Sequence, residues 1–177
     1  MDEHPLPPDD TRIDIGGIKF SPELVQYTCR QASAADRSLA ELLRQLVERR
    51  INLSFFCSGR DGELSRSTFC VAAVDAAAVD RILAGQSWPE RVERIAPVGT
   101  LTVFPHRRSP ALLGRVVAAL AEAGITIHSL CTSISALSVN IDFPRLDEAV
   151  AILEGVVDLP EHHSPFRPDF SITQIKR

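Results

Sequence analysis

Displaced by 74 residues, the chain matches itself. Leu39, Leu42, Leu43 and Leu46 fall on Leu113, Val116, Val117 and Leu120. Both sets have the i, i+3, i+4, i+7 spacing of a helix with one apolar face. Directly after them Ile51 and Leu53 fall on Ile125 and Ile127, alternating as a strand does, and Cys57 falls on Cys131. A helix, a strand and the junction between them recur in the same order. Such a chain folds as a duplicated supersecondary unit, and any architecture assigned to one copy must also suit the other.

The match resumes after a gap. Residues 71–74 correspond to 139–142 as another strand. Val79, Ile82, Leu83 and Gly85 then align with Ala149, Ile152, Leu153 and Gly155 at a displacement of 70, as a second helix. Gly85 and Gly155 are expected to end these helices in the left-handed conformation that glycine tolerates. Asp61-Gly62 is a hairpin signal between two strand-like runs of the first copy. Residues 24–30 and 99–104 supply opening strands, and 91–95 and 170–175 are candidates to close the units. The order is β-α-β-β-α-β twice, an α+β arrangement of two ferredoxin-like units, each an antiparallel sheet with helices on one face. Residues 13–97 form the first unit and 98–177 the second, with closing strands open to exchange between them. Residues 1–12 are expected to be disordered, and the proline-containing stretch 158–169 to be an extended loop. Units this small bury little on their own, so the two are expected to share an interface and the chain to form a homodimer.

Charge and motif content exclude several classes of function. The net charge is −4, the pI is about 5.7, and the cations gather into nothing denser than pairs such as Arg49-Arg50. That footprint argues against nucleic acid. The longest apolar run, 69–79, is broken by Asp75 and falls well short of the ~20 residues a bilayer span requires. The acidic start lacks the cationic and apolar segments of a secretory signal, so no membrane partner and a cytoplasmic location are expected. Cys29, Cys57, Cys70 and Cys131 form no Cys-x-x-Cys pair and read as small buried hydrophobes. His162-His163 lacks a third ligand at metal-site spacing, so no metal is expected. No nucleophile elbow, phosphate loop or zinc-protease motif occurs, which points to a non-catalytic protein without a cofactor.

Residues 119–141 read ALAEAGITIHSLCTSISALSVNI. This stretch resembles, without a gap, the second ACT domain of aspartokinases, whose pattern is ALAEAGINI, a Ser-Thr-Ser-Glu strand, then ISVVV. The first copy resembles the first ACT domain of that family through Ile51-Asn52-Leu53, Asp61-Gly62 and Thr68-Phe69-Cys70-Val71. Gly17-Ile18 followed by 24–28 resembles the linker that leads out of the kinase domain. The resemblance covers roughly residues 16–157. It implies that a free amino acid binds where the first strand of a unit meets its first helix, beside the start of the second strand. Unpaired N–H groups and the dipole of a helix start favour a carboxylate there. Carried onto this chain, the sites are Asp36, Arg37 and Ser38 in the first unit and Ser109, Pro110, Ala111 and Leu112 in the second. Asn52 and Thr126 are contributed by the strand starts.

This chain departs from the family pattern, first in that its first loop has no proline-glycine at all. Ala111 stands where the family has glycine, Ile134 where it has the motif glutamate, and Thr126 where it has asparagine. Purely structural roles are also open for several of these residues. Asp36 and Ser38 are either helix caps or ligand contacts, and Asn52 is either a strand-edge residue or a contact. Gly124 is expected to stop a helix at positive φ. Arg107-Arg108 is either an exposed pair or an anion contact. The resemblance implies a regulatory module that acts on a partner, either an enzyme or a transcriptional regulator. The alternatives are a ligand-free assembly module and a detached regulatory subunit of an aspartokinase.

Overall fold

The computed structural model describes residues 12–31, 37–61, 64–85, 92–105 and 109–161. The first copy comprises β2 (Gly17–Phe20), β3 (Leu24–Gln31), α1 (Ser38–Glu48), β4 (Phe55–Asp61), β5 (Leu64–Ala72) and α2 (Ala76–Ala84), after a two-residue β1 (Ile13–Asp14). The second comprises β6 (Val92–Phe104), α3 (Pro110–Glu122), β7 (Ser129–Thr132), β8 (Leu137–Asp142), α4 (Leu146–Glu154) and a short β9 (Val157–Asp158). Seven strands make one antiparallel sheet in the order β4-β5-β3-β6-β8-β7, with β2 also paired to β6. β1 pairs with β9 in parallel.

Within this sheet two ferredoxin-like units can be traced. The first reads β4-β5-β3 and the N-terminal half of β6; the second reads β7-β8, the C-terminal half of β6, and β2. The segments 91–95 and 99–104, expected as separate strands, are therefore joined from Val92 onward in one strand that closes the first unit and opens the second. The 97/98 division falls inside it. Val98 pairs with Leu24 on one edge and Asp142 on the other, so β2 and β3 lie end to end along the same edge of β6. Ser21 bridges the break: its N–H donates to Thr100 O at 2.9 Å, and its Oγ accepts from Thr100 N–H at 2.9 Å.

The registers repeat as the sequence does. Phe20↔Leu101 in one unit corresponds to Arg94↔Tyr27 in the other, displaced by 74. Each copy thus begins with the strand that closes the other unit. The place beside Leu101–Phe104 is held by Gly17–Phe20, read from the sequence as a linker; residues 170–175 lie outside the described residues. The short β2 pays its entropy through burial, because Ile18 is fully buried and Phe20 nearly so.

The helices cover one face of each unit. Val25, Tyr27, Cys29, Phe69 and Val71 meet Leu42, Leu46, Val79 and Ile82. Ile18, Leu101, Val103, Val139 and Ile141 meet Leu112, Val116, Leu120, Leu146 and Leu153. Gly99 sits directly beneath Leu146, where a Cβ would collide with the leucine side chain.

The alternate residues of the strands face away from the helices, yet they too are buried. Leu24, Phe55, Cys70 and Val98 form a third cluster, with Gln26, Thr28, Thr68, Thr100 and Asn140 buried as well. Asn140 explains how. Its Nδ2 donates to Gln26 Oε1 at 3.1 Å, to Ser129 Oγ at 2.7 Å and to Cys70 Sγ at 3.2 Å, and its Oδ1 accepts from Thr100 Oγ1 at 2.6 Å. β8 and β5 are three places apart in the sheet, about 14 Å if it were flat. The sheet therefore curls around its helix-free face. Buried polar groups there are satisfied by one another, within a unit at Thr28–Thr68 and Thr100–Asn140 and across the two at Gln26–Asn140, which is the condition for burying them at all.

Three local expectations are corrected. Ile51–Leu53 and Ile125–Ile127 are not strand; β4 and β7 start later, at Phe55 and Ser129, still 74 apart. The two isoleucines instead seal helix ends. Ile51 N–H donates to Leu46 O at 2.9 Å and Ile125 N–H to Leu120 O at 2.8 Å, each following a residue at positive φ, Arg50 (57°) and Gly124 (65°). Both ends are Schellman motifs with the apolar contact that accompanies them. Gly124 takes the expected conformation. Gly85 and Gly155 do not: their φ values are −82° and −75°, in the right-handed region. Finally, the strand expected over 71–74 ends at Ala72. A 3₁₀ turn, Ala73–Asp75, follows and is matched by Phe143–Arg145, so the displacement is 70 from this strand onward.

Candidate functional site

The second unit builds its helix start well. Ser109 is the N-cap of α3, extended in backbone, and its Oγ accepts from Leu112 N–H at 3.2 Å. Pro110 occupies the first helical position, where its fixed φ suits the helix and its missing N–H costs nothing. Leu112 N–H is spent on the cap and the Leu112 side chain is fully buried, so this residue belongs to the core. Ala111 N–H is the first-turn donor that this cap leaves unengaged.

Facing this helix start is the turn between β7 and β8. Ser133 N–H donates to Ala136 O at 2.8 Å, and Ala136 N–H donates back to Ser133 Oγ at 3.1 Å. The two features enclose an open cleft of about 440 Å³, lined by Ser109, Pro110, Leu113, Thr132, Ser133, Ile134 and Leu137. Hydroxyls at Ser109, Thr132 and Ser133 stand against an apolar wall. Ile134, exposed at the rim, supplies no charge. The arrangement offers hydrogen bonds and a helix dipole to a small anion-bearing molecule, with an apolar surface for the rest of it.

The first unit differs. Arg37 is the exposed N-cap of α1 and its side chain makes no capping bond; Ser38 is the first helical residue. Asp36 lies outside the described residues. Glu41 lies in the first turn, but Arg44 hydrogen-bonds it and holds its carboxyl well below the usual range, at about 2. A larger cleft of about 560 Å³ lies at the other end of α1, against α2, lined by residues including Arg49, Ile51, Asp75 and Arg81.

Asn52 and Thr126, expected beside the helix starts, are exposed residues just past the C-terminal ends of α1 and α3. Helices of 11 and 13 residues, about 16 and 20 Å long, separate them from Arg37-Ser38 and Ser109-Pro110 of the same unit. Of the sequence-derived set, the structure brings Ser109 and Pro110 together at one cleft. Thr132, Ser133, Ile134, Leu113 and Leu137 were not singled out as lining residues. A signal for them existed, since Thr132, Ser133 and Ile134 belong to the motif that carries the family resemblance, at the end of β7 and in the turn after it.

Among the described residues there is no group of three or more His, Cys, Asp or Glu side chains that could hold a metal ion. Likewise, no described helix is long and apolar enough to cross a membrane.

No protein-family model and no curated protein sequence matches the chain. Solved structures do match it in fold. The structure of aspartokinase alpha and beta subunits is similar at a TM-score of 0.69 and 19% identity, over 80% of this chain and 97% of that one. The ligand-free regulatory subunit of aspartate kinase from Thermus thermophilus is similar at a TM-score of 0.68 and 16% identity, over 81% of this chain and 99% of that one. Aspartate kinase from Synechocystis matches at a TM-score of 0.70 and 17% identity, over 82% of this chain but 28% of its own. The chain has the fold of aspartokinase regulatory regions, tandem ACT units in one body.

Proposed function

We propose that the chain is a non-catalytic regulatory module that binds a free amino acid in the cleft between the start of α3 and the β7–β8 turn and thereby modulates a partner enzyme of the aspartate kinase kind. The cleft carries the reading. It joins an N-capped helix start, which favours a carboxylate, to two further hydroxyls and an apolar wall within about 440 Å³, a volume suited to one small molecule. The near-complete coverage of an aspartate kinase regulatory subunit supports the regulatory role. The first unit is the weaker candidate, because Glu41 already places a carboxylate in the first turn of its helix, where α3 has none. The reading carries with it a cytoplasmic location and a homodimer. A ligand-free assembly module is the second reading, favoured by Ile134, which brings no charge to the cleft rim.

The test is a thermal-shift screen of the twenty amino acids at millimolar concentration. A ligand bound only by the folded state at a hundred times its dissociation constant adds about 2.7 kcal/mol, and so raises the melting point by several degrees. At least one amino acid is expected to do so, and Ser133→Ala is expected to diminish the shift. A flat response to all twenty, confirmed by calorimetry, selects the assembly module.

A further inference from the structure

Cys57 and Cys131 are equivalent residues of the two copies, 74 apart. They lie on β4 and β7, the two outermost strands of the sheet. In a flat sheet five strand spacings would hold them more than about 20 Å apart. The curl that buries Asn140 against Gln26 and Cys70 also closes this distance, and brings both cysteines against one small cluster on the inner face of the sheet. Both are half-buried at the rim of the inner cluster of Leu24, Phe55, Cys70 and Val98, and both are reduced. The remaining cysteines are placed differently: Cys29 and Cys70 are fully buried, the first in the α1–α2 core and the second accepting from Asn140.

We propose that Cys57 and Cys131 form a modification site at which a low-molecular-weight disulfide of the glutathione class closes an intramolecular cross-link between the outer strands. One protein thiolate attacks the small disulfide, forming a mixed disulfide and releasing one small thiolate. The second protein thiolate attacks the protein sulfur of that adduct and displaces the other small thiolate. The protein loses two thiol protons and two electrons, and one small disulfide becomes two thiols that take up the protons. Burial, then the neighbouring Cys57, pushes the Cys131 thiol up from its ordinary value, so exchange is slow at neutral pH and quickens as pH rises. Cys131 directly precedes Thr132, a lining residue of the cleft at α3. The bond therefore ties one wall of that cleft to the other unit. It stands independently of what the cleft binds.

The experiment incubates the full chain with oxidised glutathione at pH 8, alkylates it, and maps peptides by mass spectrometry. The expected product is a monomer-sized chain in which two of the four thiols are lost, with one linkage joining Cys57 to Cys131. Its melting point rises by roughly 5 °C or more and returns to the starting value on reduction, because the cross-link closes a long loop. Cys57→Ser and Cys131→Ser each abolish the cross-link. Reduced variants melting within a few degrees of the parent show that the fold is intact. Four thiols remaining after overnight oxidation, a persistent glutathione adduct on either cysteine, a linkage involving Cys29 or Cys70, or a purely intermolecular product would each overturn the proposal.

Discussion

Ile18 offers a direct test of the exchanged strands. Were residues 16–23 a linker, Ile18→Ala would act as a surface change, within about 0.5 kcal/mol. In the structure Ile18 is fully buried, pairs with Val103, and packs in the same cluster as Leu101, Leu112, Val116 and Val139 of the second unit. Removing three buried carbons there costs transfer free energy plus a cavity, about 2–5 kcal/mol for an isoleucine-to-alanine change. Against a domain stability of about 5–15 kcal/mol this is a large fraction. Urea denaturation should show the loss as a lower midpoint with an unchanged slope. Hydrogen exchange should show it first in the amides of 101–104, eighty residues away in sequence. Ile134→Ala, at a side chain 76% exposed, is the matched control and should leave the midpoint almost unmoved. Equal midpoints for the two variants would refute the pairing of β2 with β6.

Arg50 and Gly124 sit at the same point of the same helix-ending motif, so Arg50→Gly should stabilise by up to about 1 kcal/mol, while Gly124→Val should cost more than about 1 kcal/mol; denaturation midpoints moving in the same direction would contradict the motif. Tyr27, the chain's single tyrosine, is buried and donates to Asp80 Oδ1 at 2.7 Å, and burial, then Asp80, raises its pKa to about 12. A folded-state value above the unfolded ~10 means that its contribution is complete below pH 10 and is lost as pH rises toward 12. Phenolate absorbance should therefore appear well above pH 10, together with loss of structure; a midpoint near 10 with intact helices would show that Tyr27 is not held this way.

How much of this was legible in the sequence follows from the range of each interaction. The duplicated helices were plain, because the apolar periodicity of Leu39–Leu46 and Leu113–Leu120 is written within about two turns of chain each. The opening strands were plain for the same reason. β2 was not, since Gly-Ile-Lys-Phe is too short for a pattern and its partner, Leu101–Phe104, lies some eighty residues on. The glycine rule for helix ends found Gly124 but also picked Gly85 and Gly155, and missed Arg50, which adopts positive φ because Ile51 must turn back to seal α1. Ser109 and Pro110 were legible as a cap. That the β7–β8 turn faces them depends on the packing of α3 against the sheet, which no local spacing encodes. The curl that buries Gln26 and Asn140 is still less local, since each satisfies the other from a different unit.

The central claim is that the α3 cleft receives an amino acid, and chemical-shift mapping on the isotope-labelled full chain tests it most directly. Titration with the amino acid that most raises the melting point should move the backbone amides of Ser109, Ala111, Thr132 and Ser133 along a saturating curve, with 55–61 of the first unit largely still. Perturbations that do not saturate, or that saturate elsewhere while these four amides stay fixed, would contradict the account.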